Sequence, residues 1–109
     1  MKMYLDESQT AKLMELGLPK PSSIASVEPI YGMGGISVAK AYSIGELIEM
    51  LPKKIEMSDD ETGELEVSFG FVCMVYYTSF GVIYYDIEAK ELIDALYVMI
   101  LKLKEEGVI

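Results

Sequence analysis

The sequence predicts one α+β domain over residues 1–109. Two short helices precede a small antiparallel sheet of about three strands, and a long C-terminal helix packs on that sheet. Two segments begin with capping boxes and end at Gly or Pro, as short helices do. Residues 65–77 keep apolar side chains at their odd positions, and residues 92–103 repeat them at helical spacing. With 109 residues and a hydrophobic content of 51%, the chain can enclose one core.

The first helix is predicted within residues 5–21. Asp6 is a suitable N-cap, and Gln9 completes a capping box. Gly17 favours the left-handed conformation that ends helices, and Pro19 prevents the helix from continuing. The apolar stripe comprises Leu13, Met14 and Leu16.

Residues 19–40 are predicted to be a long ordered connection, because several Pro and Gly residues interrupt regular structure there. A short strand is predicted at its end, at residues 36–41. We expect this connection to pack through Ile24, Val27, Ile30 and Tyr31.

The second helix is predicted at residues 42–53. Ser43 and Glu46 form its capping box, and Pro52 ends it. Its buried side comprises Ile44, Leu47, Ile48 and Leu51.

A weak strand at residues 54–58 is predicted to lead into a charged turn at 58–64, where Gly63 supplies backbone freedom. The acids of residues 58–66 do not match a calcium-binding loop, because Phe69 stands where the bidentate Glu belongs. We expect a charged hairpin tip, and weak binding of a metal stays open.

One long strand is predicted over residues 65–77, bent near Gly70. A turn at 78–81 then leads to a partner strand at 82–85. Residues 67–85 carry no charge and approach the length of a membrane-spanning helix. Their Gly, Ser, Thr and Tyr content favours strands, so we expect no membrane partner.

The C-terminal helix is predicted within residues 86–109. Asp86 is its expected N-cap, Lys102 and Lys104 suit its negative end, and Gly107 stops it. Its core stripe comprises Leu92, Ile93, Leu96, Met99, Ile100 and Leu103.

Val98 and Leu101 are apolar on the opposite side of that helix, which therefore needs cover nearly all round. A second subunit would supply this cover, and the alternative is the first helix or the 19–40 connection.

The composition excludes several functions. The net charge is −9, and all basic residues are Lys, so direct binding of nucleic acid or of an anionic membrane is not expected. The chain has no His, which removes the commonest general base and metal ligand. We therefore expect no catalytic residue, no metal and no cofactor.

The single cysteine, Cys73, fits a reducing compartment, and the N-terminal residues lack the apolar region of a signal peptide. We expect a cytoplasmic protein. Cys73 lies within an apolar strand, where it is expected to be a small buried hydrophobe.

The segment YGMGGISVAK at residues 31–40 resembles a phosphate-binding loop only superficially. A dinucleotide loop requires Gly where Ser37 stands, and a Walker loop requires Gly and Ser or Thr where Ala39 and Ala41 stand. We predict a glycine turn with a surface lysine, Lys40.

Candidate contact residues lie on the sheet and on the last helix. The doublets Tyr76–Tyr77 and Tyr84–Tyr85 are predicted to face each other across a hairpin, with one ring of each pair pointing outward. Asp94, in mid-helix, is predicted to pair with Lys90 or to lie in an interface. The predicted interface comprises Tyr76, Tyr77, Tyr84, Tyr85, Tyr97, Val98 and Leu101.

The segments AYSIGELIEMLPK and ELIDALYVMILKLKEEGVI, within residues 41–109, resemble a group of small uncharacterised proteins from gut anaerobes and their prophages or mobile elements. The shared residues are helix caps and core residues. The resemblance implies a cytoplasmic, phage-derived accessory protein and carries over no catalytic residue.

The sequence favours a non-enzymatic protein-interaction module, dimeric through the helix at 87–106 or through the tyrosine-bearing sheet. One alternative is an acidic inhibitor that occupies a nucleic-acid-binding protein, which acids clustered on one face would favour. The other is a small-ligand binder or enzyme that uses the sheet tyrosines and the glycine loop. A pocket that joins Tyr31 or Lys40 to Tyr84 or Tyr85 would favour it.

Overall fold

The computed structural model describes residues 2–30, 35–56 and 61–109, and for residues 26–30 and 35–38 it describes the backbone only. The described residues form three helices and two antiparallel sheets, and the C-terminal helix packs on the larger sheet. The elements are α1 (Glu7–Glu15), β1 (Ile24–Ile30), β2 (Gly35–Lys40), α2 (Ile44–Met50), β3 (Lys54–Glu56), β4 (Thr62–Ser68), β5 (Cys73–Ser79), β6 (Val82–Ala89) and α3 (Leu92–Glu105).

The caps of α1 confirm the prediction from sequence. The Asp6 carboxylate accepts from the Gln9 backbone N–H, and the Gln9 side chain accepts from the Asp6 backbone N–H. Gly17 has a φ of +87°, and the Leu18 N–H donates to the carbonyl oxygen of Leu13 at 3.2 Å. This is the hydrogen-bond pattern of a glycine-terminated helix, and it folds Leu18 back against the last turn.

The long connection predicted at residues 19–40 contains a two-stranded ribbon, β1–β2, which forms the smaller sheet. The strand predicted at 36–41 is confirmed as β2, whereas β1 was not predicted because Pro29 lies within it, opposite Ile36. The side chain of Ile24 is 52% exposed, so the prediction that it packs is wrong. The same prediction for Val27, Ile30 and Tyr31 falls outside the described side chains.

The second helix forms as predicted. The Ser43 hydroxyl accepts from the Glu46 N–H, and the Glu46 carboxylate accepts from the Ser43 N–H. Leu47 and Leu51 are fully buried, while Ile44 and Ile48 pack at the margin of the core.

The larger sheet has the strand order β3-β4-β5-β6 and is antiparallel throughout. Gly63 lies within β4 opposite Ile55, so it does not form the predicted turn. Residues 58–60 of that turn lie outside the described residues, and Thr62 and Glu64 belong to β4. The larger sheet therefore has one strand more than the sheet of about three strands that was predicted.

The long bent strand predicted over residues 65–77 is two strands. β4 ends at Ser68 and β5 begins at Cys73, and the two pair in the antiparallel direction. The turn between them exposes Phe69 and Phe71, which are 68% and 105% exposed. Residues 67–85 thus belong to strands and turns, as their composition predicts. No helix among the described residues is both long and apolar enough to cross a membrane.

The start of the predicted C-terminal helix is strand instead. Asp86 and Glu88 lie within β6, so Asp86 does not cap a helix. α3 follows Glu91 at the N-cap position, which makes no side-chain capping bond. The end of the helix is as predicted, since Lys102 and Lys104 occupy its last turn and Gly107 has a φ of +76°.

The core lies between the larger sheet and α3, and α1 and α2 contribute the fully buried Leu13 and Leu47 to it. The predicted α3 stripe is confirmed, because all of its members are at most 6% exposed. Two fully buried tyrosines close the core: Tyr42 donates its hydroxyl to the Pro19 carbonyl oxygen, and Tyr77 donates to the Pro52 carbonyl oxygen. Because both hydroxyls are satisfied, the aromatic rings can be buried without a lost hydrogen bond.

Candidate interaction face

The strand register divides the larger sheet into two faces. Residues opposite each other in an antiparallel pair share a face, and neighbours along a strand alternate. Val75 and Tyr77 point into the core beneath α3, so Met74, Tyr76 and Thr78 point away from it. We call this second surface the outer face. It comprises Lys54, Glu56, Glu64, Glu66, Met74, Tyr76, Thr78, Ile83 and Glu88.

The outer face has an apolar centre. Met74, Tyr76 and Thr78 follow one another along β5, a central strand, and each is partly exposed. Ile83 of β6 lies opposite Thr78 and is 51% exposed. Among the described elements, α3 is the helix that contacts β5 and β6 extensively, and it does so from the core side. The outer face is therefore open in the part of the chain that the structure describes.

Acidic side chains surround this centre. Glu66 lies opposite Tyr76, Glu64 opposite Thr78, and Glu88 opposite Met74, and all three carboxylates are exposed. Lys54 approaches Glu64, with 3.8 Å between the Nζ and Oε1 atoms. Because acids outnumber this single lysine, the outer face has a negative potential.

A β-bulge interrupts the pairing of β5 with β6. Val75 pairs with Ile87, but Tyr77 pairs with Tyr84, so two residues of β6 lie opposite Tyr76. One of them, Tyr85, has a φ of +52°, which is the left-handed conformation found at bulges. Consequently Tyr84 and Tyr85 both pack against the core, and the predicted alternation fails for this doublet.

The other doublet alternates as predicted. Tyr77 is fully buried, and its hydroxyl lies 2.7 Å from the Pro52 carbonyl oxygen. Burial raises the pKa of Tyr77 to about 12. This tyrosine is a core residue with no accessible surface, and Tyr76 is the one that faces solvent. Met74, Thr78 and Ile83 were not among the predicted contact residues, although the alternation of residues 73–79 places the first two beside Tyr76.

The remaining predicted contact residues lie on α3, away from the outer face. Leu101 lines a shallow groove together with Lys12 of α1 and Leu16 at its C-cap. The end of α1 therefore lies beside this side of α3, where the first helix was predicted as the alternative to a second subunit. Tyr97 is partly buried, and burial together with the nearby Asp6 carboxylate raises its pKa. Val98 is 41% exposed. The structure therefore does not bring the helix residues and the sheet tyrosines together on one surface.

Asp94 has a structural partner that was not predicted. Its Oδ1 atom lies 2.8 Å from the Lys2 ammonium and 3.0 Å from the Gln9 amide, so Lys90 is not its partner. Burial alone would raise the pKa of Asp94, but these hydrogen bonds and the charge of Lys2 lower it overall. The network ties the N-terminal segment and α1 to α3.

Glu46 also has a structural role. Its carboxylate accepts hydrogen bonds from the backbone N–H groups of Ser22 and Ser43. Burial opposes ionisation, but the hydrogen bonds from Ser22, Ser23 and Ser43 outweigh it and lower the pKa of Glu46 to about 2. These bonds hold the entry to β1 against the start of α2, and they leave the carboxylate a weak base.

The glycine segment is only partly described. Tyr31, Met33 and the glycines at 32 and 34 lie outside the described residues, whereas Gly35–Lys40 is strand β2. Lys40 is exposed at the edge of an open groove of about 430 Å³ between α1 and the ribbon. The groove lining comprises Leu5, Glu7, Thr10, Ala11, Met14, Ala25, Ala39, Lys40 and Ala41. Tyr84 and Tyr85 are not among these residues, so this groove is not the pocket that the ligand-binding alternative requires.

Cys73 is partly buried, and its Sγ lies 4.0 Å from the Lys90 carbonyl oxygen. Within residues 2–30, 35–56 and 61–109, no group of three or more His, Cys, Asp or Glu side chains is placed to hold a metal.

Comparison with protein-family models, with curated proteins and with solved structures found no match. The resemblance to small proteins of gut anaerobes therefore stays a prediction.

Proposed function

We propose that this chain is a non-enzymatic protein-interaction module of the cytoplasm and that it contacts its partner through the outer face. One observation carries the proposal: Met74, Tyr76, Thr78 and Ile83 form an apolar patch on an open side of the sheet, within a border of carboxylates.

The residue types suit protein contact. Tyr and Met are enriched at the centres of protein interfaces, where a rigid ring or an adaptable thioether buries a large area. A charged border shields such a centre from water and selects partners by potential. The absence of His and Arg from the sequence supports a non-enzymatic role.

The test is affinity capture from extracts of the native host, with the wild-type chain and two variants as baits. Tyr76→Lys places a charge at the centre of the outer face, where the side chain is partly exposed. Val98→Lys makes the same kind of change on α3, at a residue that is 41% exposed. A protein retained by the wild type and by Val98→Lys, but not by Tyr76→Lys, supports the proposal. Identical sets of proteins on wild type and Tyr76→Lys contradict it.

The acidic border favours a second candidate function, an inhibitor that occupies a nucleic-acid-binding protein. Glu64, Glu66 and Glu88 lie on one face of one sheet and form a local acidic cluster there, while other exposed acids lie on α1 and at the end of α3. A surface that binds phosphates attracts such carboxylates through the same long-range potential.

The two candidates differ in their dependence on salt. If the chain is an inhibitor, raising the ionic strength should weaken capture steeply. The double variant with Glu66→Gln and Glu88→Gln should then weaken capture nearly as much as Tyr76→Lys does. For an interface dominated by the apolar patch, Tyr76→Lys has the larger effect and salt has little. If the captured protein does not bind nucleic acid, the inhibitor function is excluded and the interaction module is the function that is supported.

A further inference from the structure

We propose that two copies of this chain associate through the free edge of β6, pairing antiparallel about Ile83 so that their four-stranded sheets form one continuous sheet. This goes beyond the proposed function, since it uses the edge of the sheet. Of the outer face only Ile83 takes part, and Met74, Tyr76 and Thr78 stay available.

The edge of β6 is unprotected where it is apolar. Among the described strands, β6 has one neighbour, β5, so its other side presents unpaired backbone groups. Val82 and Ile83 are 52% and 51% exposed, and residues 80–85 carry no charge. The opposite edge of the sheet is β3, which spans only Lys54–Glu56 and carries charge. Short, charged edges resist pairing, whereas exposed apolar edges favour it.

The turn before β6 determines which backbone groups face outward. Ser79 pairs with Val82 across a two-residue turn at Phe80 and Gly81, whose φ values of +49° and +79° are those of a type I′ hairpin. In such a hairpin the closing pair exchanges both hydrogen bonds, so the next residue, Ile83, directs its N–H and C=O away from β5. Ile83 can therefore exchange both bonds with Ile83 of a second copy about a two-fold axis.

The charge pattern selects this register. With Ile83 on the axis, Asp86 lies opposite Phe80 of the other copy, and the two Asp86 residues stand about 20 Å apart along the strands. Centring the pair on Tyr85 would bring the Asp86 residues within about 7 Å, where like charges repel. The bulge at Tyr85 also bends the strand there, so the pairing in this register is limited to Val82, Ile83 and Tyr84 of each copy.

Phe80 supports an intermolecular role. Its ring is 90% exposed, and its backbone adopts the left-handed conformation that Asn or Gly occupies at lower cost. A large apolar residue at such a position does not stabilise the monomer, but it adds contact area beside a second β6 edge. A pairing this short buries less than a standard interface, so we expect a dimer that dissociates on dilution.

The experiment measures solution mass by light scattering and sedimentation over a concentration series of the full chain. We expect the mass to rise from 12.2 kDa towards twice that value with concentration. Ile83→Lys brings two ammonium groups together at the axis and should weaken dimerisation by more than about tenfold. Ile83→Pro removes the outward N–H, which an edge strand tolerates, and should weaken it similarly. Val98→Lys is the matched control and should dimerise like the wild type.

Circular dichroism confirms that each variant is folded before its mass is interpreted. A wild-type mass of 12.2 kDa at the highest soluble concentration overturns the proposal. A dimer that persists in both Ile83 variants also overturns the proposal. So does a dimer that is lost only in Val98→Lys, because that result would place the interface on α3. Capture of a partner through Tyr76 is a separate measurement, so the two proposals can fail independently.

Discussion

Tyr76 and Tyr77 are adjacent residues of the same type with opposite environments. Tyr77 is fully buried beneath α3 and donates its hydroxyl to the Pro52 carbonyl oxygen. Tyr76 lies on the outer face, partly exposed and opposite Glu66. The difference follows from the pleat of the strand, since successive side chains point to opposite sides and only one side has a helix over it.

The two positions separate stability from recognition. The inner side of β5 holds the core together, and its residues can be judged by the free energy of unfolding. The outer side adds little to folding, and its apolar centre is the surface through which we propose that the chain contacts a partner.

The largest expected difference between the two positions is in the cost of removing the ring. Tyr77→Ala should lower the free energy of unfolding by about 3–5 kcal/mol, because it leaves a cavity beneath α3. Tyr76→Ala should lower it by less than about 1 kcal/mol, since only cross-strand contacts are lost. Urea unfolding of both variants measures this difference, and equal losses would contradict the assignment of faces.

Removal of the hydroxyl alone should have a smaller effect. Tyr77→Phe leaves the Pro52 carbonyl oxygen without its donor and should cost about 1–2 kcal/mol. Tyr76→Phe should change stability by no more than about 0.5 kcal/mol. If Tyr77→Phe were neutral in the same urea titration, water would have to replace the missing donor.

Alkaline pH provides a third comparison. Because the pKa of Tyr77 is raised to about 12 from its ordinary value near 10, folding favours the neutral phenol. The stabilisation is complete below pH 10 and is lost as the pH rises from 10 through 12. Tyr42 and Tyr97 contribute in the same direction, so the difference between wild type and Tyr77→Phe isolates Tyr77. Parallel stability curves over this range would show that the Tyr77 phenol is not protected.

The helix ends could be predicted from the sequence because their signals are local. Asp6 with Gln9, and Ser43 with Glu46, are short-range pairs whose hydrogen bonds require nothing from the rest of the chain. The core stripe of α3 was predictable for a similar reason, since its period is set by one helix.

The sheet was harder to predict because the apolar pattern does not mark where its turns and its bulge lie. The turn at residues 69–72 has an even length, so the odd positions of β4 and β5 both face the core and the alternation continues across it. The bulge at Tyr85 does the opposite: it shifts the alternation within β6, so that Tyr84 and Ile87 both face inward. Their spacing of three residues is not the period of a strand, so alternation does not identify residues 86–89 as part of β6.

The candidate site was predictable only in part. Alternation identifies one outward tyrosine in the pair Tyr76–Tyr77, but sequence alone cannot say which side of β5 the helix covers. The acids opposite Tyr76 and Met74 come from other strands, and their placement depends on a register fixed by tertiary packing.

The smallest expected effect concerns the border of the outer face. Glu64 and Lys54 lie 3.8 Å apart with side chains that are 60% and 67% exposed, so water and salt screen the pair. Glu64→Gln should therefore change the free energy of unfolding by no more than about 0.5 kcal/mol, whereas it removes a negative charge from the outer face. A loss of several kcal/mol would show that the border belongs to the folding core, and the division between the two sides of β5 would no longer hold.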